Sequence, residues 1–402
     1  MFQYEGRYSE FLPAFYFFLP FKIPHQYYCF KTHNCSISIF SEIKCNYNAL
    51  LLYISKKPNQ NSHNMDNENF STLELLRQQF RYPFPTLKNP NAEQLQQITE
   101  NQWIDGEYLW LYEQNPDLRK KYKKTKTAHI AAQWFPTAPP ERFKPICRLM
   151  LWTLYNDDLY EESEPEDIGY VHTQSIAILK GEITAKDSGI PLGPMLASLR
   201  EELLEFIPEE SVSRFTQMIS RYFTGLETEL KYKKNKAYPS VNECIALREN
   251  SICLYPFLQL TELETGIVLP PEIHAHPVII RLQTLACHLV TFFNEVQSVL
   301  KDEATNSIYY NIVKVIQHER QMSLKEACIE DLRLHNEDLK EFLELQANLP
   351  DFGIWQDAVI NWVHYMSMVL SGWKNISTKL DRYTAAEFPG AAELKAKLNQ
   401  VQ

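Results

Sequence analysis

Apolar residues recur at helical spacing through most of the chain after Met65, and polar residues fill the positions between them. No run of alternating apolar and polar residues is long enough to predict a strand. The sequence therefore predicts an all-α fold. The predicted helices are Ala92–Leu111, Arg142–Tyr160, Pro194–Phe206, Ser211–Lys231, Val241–Thr261 with an interruption near Pro256, His276–Leu300, Ser307–Arg320, Ser323–Leu349 and Trp355–Tyr383.

Residues 1–64 depart from this pattern and mix short aromatic runs with stretches rich in Asn and Ser. The apolar run from Phe11 to Phe21 is too short to span a bilayer, and it lacks the basic start and small-residue cleavage site of a signal peptide. We expect residues 1–64 to be a poorly ordered extension and residues 65–402 to form a single helical domain. Translation starting at Met65 is one hypothesis that would explain the extension.

The composition agrees with a large helical domain. The chain has 402 residues, of which 45% are hydrophobic, and this is ample for a sizeable core. Only 11 residues are Gly, whereas β-rich and dinucleotide-binding folds use more Gly in turns and phosphate loops. The aromatic content of 13% fits either core packing or an aromatic-lined pocket.

The charge and the cysteines exclude other classes of protein. A formal net charge of -10 makes the chain a poor nucleic-acid binder. Two short basic runs, within 119–126 and 231–236, are interpreted as solvated helix ends or loops. The eight Cys form no CxxC pair and have no His at zinc-like spacing, which favours a reduced, cytoplasmic protein.

An acidic segment, Asn156–Glu162, follows the apolar stripe of the second predicted helix. Asp157 and Glu161 are four residues apart and therefore share a face of that helix. A solvated helix end explains such a segment, and for this motif alone we favour that interpretation. Asp157, however, continues the stripe of Met150 and Leu154, and a carboxylate on a buried stripe requires a partner.

A second polar group lies at the end of the long helix predicted from His276. Asn294, Ser298 and Asp302 are spaced four residues apart and form one stripe. All three offer oxygen, the ligand that magnesium prefers. An exposed polar face is an equal explanation for the stripe alone. The two polar groups could face each other across a helical bundle and hold divalent ions around one anionic ligand.

These residues also resemble a known family. The segment Asp157-Asp158-Leu159-Tyr160-Glu161 resembles the aspartate-rich motif of class I terpene synthases. Asn294, Ser298, Lys301 and Asp302 resemble the second metal motif of the same family.

Two more features resemble the bacterial-type members of that family. Arg248 lies 46 residues before Asn294, at the spacing of their diphosphate-sensing arginine. Arg382 and Tyr383 match an Arg-Tyr pair near the end of their last long helix. The resemblance covers about residues 78–390.

The resemblance implies the class I terpenoid synthase helical bundle and an enzyme that ionises a linear prenyl diphosphate and cyclises the carbocation. It implies three Mg²⁺ ions, with Asp157, Asp158 and Glu161 as ligands on one side and Asn294, Ser298 and Asp302 on the other. It also implies diphosphate contacts from Arg248, Lys301, Arg382 and Tyr383, and a hydrocarbon pocket lined by Leu154.

Four positions depart from the family pattern. Glu295 replaces a more usual Asp that is not a metal ligand, and Asp302 stands where Glu is more frequent. Ile252 and Ile376 replace a common Gly and a pocket Trp, so the product stays undetermined.

Several alternatives remain open from the sequence. Farnesyl diphosphate, which would make the protein a sesquiterpene synthase, is the expected substrate, and geranylgeranyl diphosphate is the alternative for a diterpene synthase. An alternative from another functional class is a helical binding module that has the same fold but no catalytic activity. A chain-elongating prenyltransferase would need a second aspartate-rich motif in place of Asn294–Asp302. We predict no nucleic-acid partner and no membrane span, and a homodimer stays a hypothesis.

Overall fold

The computed structural model describes residues 73–112, 116–160 and 163–380. The predicted extension over residues 1–64, and the site residues Glu161, Arg382 and Tyr383, lie outside them. The described chain is helical and contains no strand. Its main helices are α1 Ala92–Ile98, α2 Pro116–Thr125, α3 Thr127–Trp134, α4 Pro140–Tyr160, α5 Pro165–Leu179, α6 Gly193–Leu204, α7 Glu209–Asn235, α8 Val241–Ser251, α9 Leu254–Gln259, α10 Pro277–Ala304, α11 Ile312–Arg320, α12 Leu324–Ala347 and α13 Gln356–Ser377.

The all-α prediction is confirmed, and most predicted helices occur within a few residues of their expected bounds. The basic run of residues 119–126 belongs largely to α2, which the sequence reasoning did not separate as a helix. Helices α3 and α5 were also not predicted. The helix predicted from Ser307 begins only at Ile312, where the extended residue Asn311 is the N-cap.

The predicted interruption near Pro256 is a break between α8 and α9. Cys253 lies there in the left-handed region with φ of 58°. Pro256 has no N–H to donate to the carbonyl of Ile252, so a continuous helix would lose a hydrogen bond at this point. The break ends α8 at Ser251, shortly after Arg248.

Helix α10 lies at the centre of the bundle. It is 28 residues long, and nearly all residues from Leu285 to Val299 are buried. It packs against α8, α12 and α13, and α7 packs against α5 and α8. Because α10 is buried on most sides, polar side chains near its C-terminal end face other helices. None of the described helices is long and apolar enough to cross a membrane.

Helices α7 and α8 approach closely at Gly225. A Cβ on this residue would lie 2.7 Å from the backbone nitrogen of Ser251 and 2.9 Å from its Cα. These atoms belong to the backbone and cannot rotate away, so only Gly permits this approach. The contact holds α8, and therefore Arg248, close to α7.

We expect Gly225→Ala to destabilise the protein by about 1–3 kcal/mol, as overpacking does, and to lower activity by displacing α8. The matched control is Gly169→Ala in α5, where an added Cβ would meet no atom within 4 Å. That control should gain about 0.5–1 kcal/mol, because Ala is the better residue within a helix. Urea unfolding of both variants checks this, and equal stabilities would show that α7 and α8 are not in backbone contact.

Candidate active site

One cavity lies between α4, α7, α8 and α10, and α3, α9 and α13 complete its wall. Seven of the residues predicted from the sequence line this cavity. They are Leu154 and Asp157 on α4, Arg248 on α8, and Asn294, Ser298, Lys301 and Asp302 on α10. Two motifs that are well over a hundred residues apart in the chain therefore face one space.

Helix α4 presents its predicted stripe to the cavity. Met150, Leu154 and Asp157 all line it, as their helical spacing predicted. Asp157 is half-buried at the end of this stripe. A carboxylate in that position can bind a cation that enters from the cavity.

Asp158 is placed differently from Asp157. Its Oδ2 accepts a hydrogen bond of 2.8 Å from the Tyr122 hydroxyl and lies 2.7 Å from Nζ of Lys121, and both partners are on α2. It is not among the residues that line the cavity. Neighbouring helical residues point about 100° apart, which separates the two carboxylates.

Two members of the polar stripe of α10, Ser298 and Asp302, are joined by a hydrogen bond. The Ser298 hydroxyl donates to Oδ2 of Asp302 over 2.7 Å. Asn294 and Ser298 are buried, whereas Asp302 is half-buried. An amide, a hydroxyl and a carboxylate form a set of hard oxygen donors, which fits a magnesium-type ion better than a soft metal.

No group of three or more His, Cys, Asp or Glu side chains within the described residues is arranged to hold a metal. The oxygen donors of α4 and α10 instead face the cavity from separate helices. Each side could supply part of a coordination sphere, and an anionic ligand between them would supply the rest. This arrangement suits Mg²⁺, which usually shares its shell with waters and substrate phosphates.

Arg248 lies in the cavity wall between two carboxylates. Its Nε donates to Oε1 of Glu295 over 2.9 Å, and its Nη1 donates to Glu229 and to Oγ of Ser251. Burial raises the pKa of Glu295 to about 7 and also raises that of Glu229, against the opposing attraction of Arg248. The guanidinium is therefore held in place in a poorly solvated setting.

Glu229 was not identified from the sequence. It follows Tyr222 and Leu226 on the cavity-facing stripe of α7, so it is a carboxylate on an otherwise apolar stripe. This is the signal that singled out Asp157. Applied to α7, it would also have identified Glu229.

The apolar part of the cavity includes an aromatic wall formed by Trp134, Phe257 and Trp373. The ring of Trp134 lies edge-on to those of Phe257 and Trp373, with centroids 5.0 and 5.8 Å apart. Three other aromatic residues, Phe84, Trp152 and Phe223, pack in or against the core and do not line the cavity.

Two of the departures from the family pattern concern this cavity. Ile252 lines it, next to Cys253. Ile376 does not line it, and Trp373 on the same helix does.

Residues 148–341 match the model of terpene synthase family 2, C-terminal metal binding. The chain is 23% identical over 275 residues to a germacrene A synthase from Nostoc punctiforme, and the aligned part covers 67% of this chain and 83% of that protein. It is 28% identical over 284 residues to a (+)-T-muurolol synthase of Roseiflexus castenholzii that cyclises farnesyl diphosphate, spanning 70% of this chain and 84% of the relative.

Solved structures give the same result for the fold. The crystal structure of a linalool/nerolidol synthase from Streptomyces clavuligerus superposes with a TM-score of 0.67 at 19% identity and covers 74% of this chain and 99% of that one. Both polar motifs and Arg248 fall within the segment that matches the metal-binding family model. Residues 148–341 are thus identified as a terpene synthase metal-binding domain, and the chain has the class I terpenoid synthase fold.

Proposed function

We propose that the protein is a magnesium-dependent terpene cyclase that ionises farnesyl diphosphate and cyclises the resulting carbocation. The observation that carries this proposal is one cavity with oxygen donors from two helices, an arginine and an aromatic wall. The polar side chains suit the diphosphate, and the aromatic wall suits the hydrocarbon chain. The farnesyl substrate is inferred from the relatives, one of which is named for cyclising it.

We assign metal binding to Asp157, with Asp158 and Glu161 as supporting carboxylates of the same motif, and to a second ligand set on α10. That set is Asn294, Ser298 and Asp302. Three Mg²⁺ ions would neutralise the leaving diphosphate as Lewis acids. The donor chemistry on both helices supports this assignment, because all the ligands are hard oxygens.

Arg248 and Lys301 are assigned to the diphosphate oxygens, together with Arg382 and Tyr383. The planar fork of Arg248 can contact a phosphate through two donors. In the present arrangement that fork is bound to Glu229 and Glu295. Diphosphate binding therefore requires Arg248 to exchange or share these carboxylate partners.

The aromatic wall and Leu154 are assigned to the hydrocarbon part of the substrate. Aromatic faces attract a carbocation, and a closed apolar cavity excludes the water that would trap it. The non-catalytic alternative is disfavoured because Arg248 and the predicted ligands Asp157, Asn294, Ser298 and Asp302 face one cavity.

The proposal is tested by measuring diphosphate release from geranyl, farnesyl and geranylgeranyl diphosphates, with Mg²⁺ and with a chelator. We expect Mg²⁺-dependent release with the highest kcat/KM for farnesyl diphosphate. A higher kcat/KM for geranylgeranyl diphosphate would favour the diterpene synthase. Binding of diphosphate by folded protein without release from any substrate would favour the binding module.

The aromatic wall leads to a prediction about chain length. We expect Trp134→Leu to widen the cavity. The ratio of kcat/KM for geranylgeranyl diphosphate to kcat/KM for farnesyl diphosphate should rise by about 10-fold or more, because small changes in an apolar pocket have effects of this size. Trp152→Leu is the matched control, because Trp152 is also buried and packs against Tyr222 and Phe223 but does not itself line the cavity. Equal ratios in the two variants would rule out a role for the wall in chain length.

A further inference from the structure

A buried asparagine outside both motifs contacts the second polar stripe. Asn311 is 1% exposed and lies in the connection between α10 and α11. Its Nδ2 donates to Oδ2 of Asp302 over 2.8 Å and to the backbone carbonyl of Glu295 over 3.1 Å. The same Nδ2 lies 3.5 Å from Oγ of Ser298.

The other end of this side chain is fixed by the fold. Asn311 is the N-cap residue of α11, and its Oδ1 accepts a hydrogen bond from the backbone nitrogen of Lys314. An asparagine amide offers two N–H donors and one acceptor oxygen. The acceptor caps α11 and the donors face α10, so the side chain connects the start of one helix to the polar stripe of the other.

The contact with Asp302 limits how that carboxylate can rotate. Its Oδ2 receives both the Asn311 amide and the Ser298 hydroxyl. Two donors on one oxygen fix the plane of the carboxylate and thereby the direction of its other oxygen. Aspartate is one methylene shorter than the glutamate more frequent at this position in the family, so it has less reach to correct a misplaced carboxylate.

We propose that Asn311 is a positioning residue for the metal site, which orients Asp302 and Ser298 through its amide. This inference rests on the proposed function, since it assigns a role toward the ions of that site. Hydrogen-bonding partners behind metal ligands typically change metal affinity by about 10–100-fold when they are removed. A residue that only caps α11 would change stability and leave metal affinity unaltered.

The variant that separates these roles is Asn311→Ser. Serine caps helices about as well as asparagine, so α11 keeps its cap while Asp302 loses the amide donor. The control for cap loss is Ser323→Ala in the full chain, which removes the capping box of α12. Calorimetry of inorganic diphosphate binding at a series of Mg²⁺ concentrations gives a readout that needs no turnover.

We expect Asn311→Ser to need about 10–100-fold more Mg²⁺ for half-maximal diphosphate binding, with a melting temperature close to that of the unaltered protein. Turnover should largely recover at saturating Mg²⁺. Ser323→Ala should melt earlier and keep the original Mg²⁺ requirement. An unchanged Mg²⁺ requirement in Asn311→Ser would overturn the role of Asn311 and leave the proposed function intact. If the unaltered protein showed no Mg²⁺-dependent diphosphate binding, both the role of Asn311 and the proposed function would be overturned.

Discussion

We expect the Asp157→Ala enzyme to stay folded and to lose roughly 10³-fold in the rate of diphosphate release. Metal ions that neutralise a leaving group supply several kcal/mol, and each 1.36 kcal/mol is a tenfold change in rate. Asp157 is the described carboxylate of α4 that faces the cavity. It is half-buried beside a cavity, so alanine removes charge and little packing, and the melting temperature should change little.

The neighbouring Asp158 provides a matched control for this prediction. Asp158→Ala removes the same group from the same turn of α4, but that carboxylate is bound by Lys121 and Tyr122 on α2. We expect a rate loss at least tenfold smaller than for Asp157→Ala, and a larger loss of stability. Equal rates in the two variants would contradict the assignment of Asp157 as the principal ligand on α4.

Arg248→Met is expected to affect both stability and activity. The substitution leaves Glu229 and Glu295 buried without the cation between them, and breaking a buried ion pair typically costs about 3–5 kcal/mol. The control Arg333→Met, at a more exposed arginine that pairs with Glu330 and Glu337, should cost less than about 1 kcal/mol. Urea unfolding of both variants in the presence of a chelator measures these costs.

The stability cost of Arg248→Met should depend on pH. Burial already raises the pKa of Glu295 to about 7, and losing Arg248 removes an interaction that lowers the pKa of both carboxyls. An acid whose pKa is higher in the folded protein than in the unfolded chain destabilises the fold. This destabilisation grows as the pH rises above the pKa that the group has in the unfolded chain. The loss of unfolding free energy caused by Arg248→Met should therefore become smaller by more than about 1 kcal/mol when the pH is lowered from 7.5 to 5.5.

The two roles of Arg248 can be separated by a rescue experiment. Adding Glu229→Gln and Glu295→Gln to Arg248→Met removes the buried charges, so most of the stability should return. Activity should stay low, because no guanidinium is present to bind diphosphate. Recovery of activity with stability would mean that Arg248 is structural and does not contact the substrate.

The fold and the two polar stripes could be predicted because helical periodicity is a local property of the sequence. The stripe from Met150 to Asp157 on α4 and the i, i+4, i+8 spacing on α10 both point into the cavity as predicted. The resemblance placed Arg248 beside them. Each of these predictions depends on residues within one helix or on their order along the chain.

What could not be predicted depends on contacts between helices. Asp158 belongs to the same motif as Asp157, but its partners lie on α2, whose basic sequence fits a solvated loop equally well. Asn311 is a single polar residue after a turn, and only the fold brings it to Asp302. The aromatic wall comes from three separate helices, so no spacing along the chain distinguishes its members from core residues.

The most direct test of the account is gas chromatography–mass spectrometry of the products that the full chain forms from farnesyl diphosphate. We predict a cyclic sesquiterpene hydrocarbon or alcohol that requires Mg²⁺ and is lost in Asp157→Ala. Folded protein that leaves farnesyl diphosphate intact in the presence of Mg²⁺, or that releases only linear alcohols, would contradict the assignment as a farnesyl diphosphate cyclase.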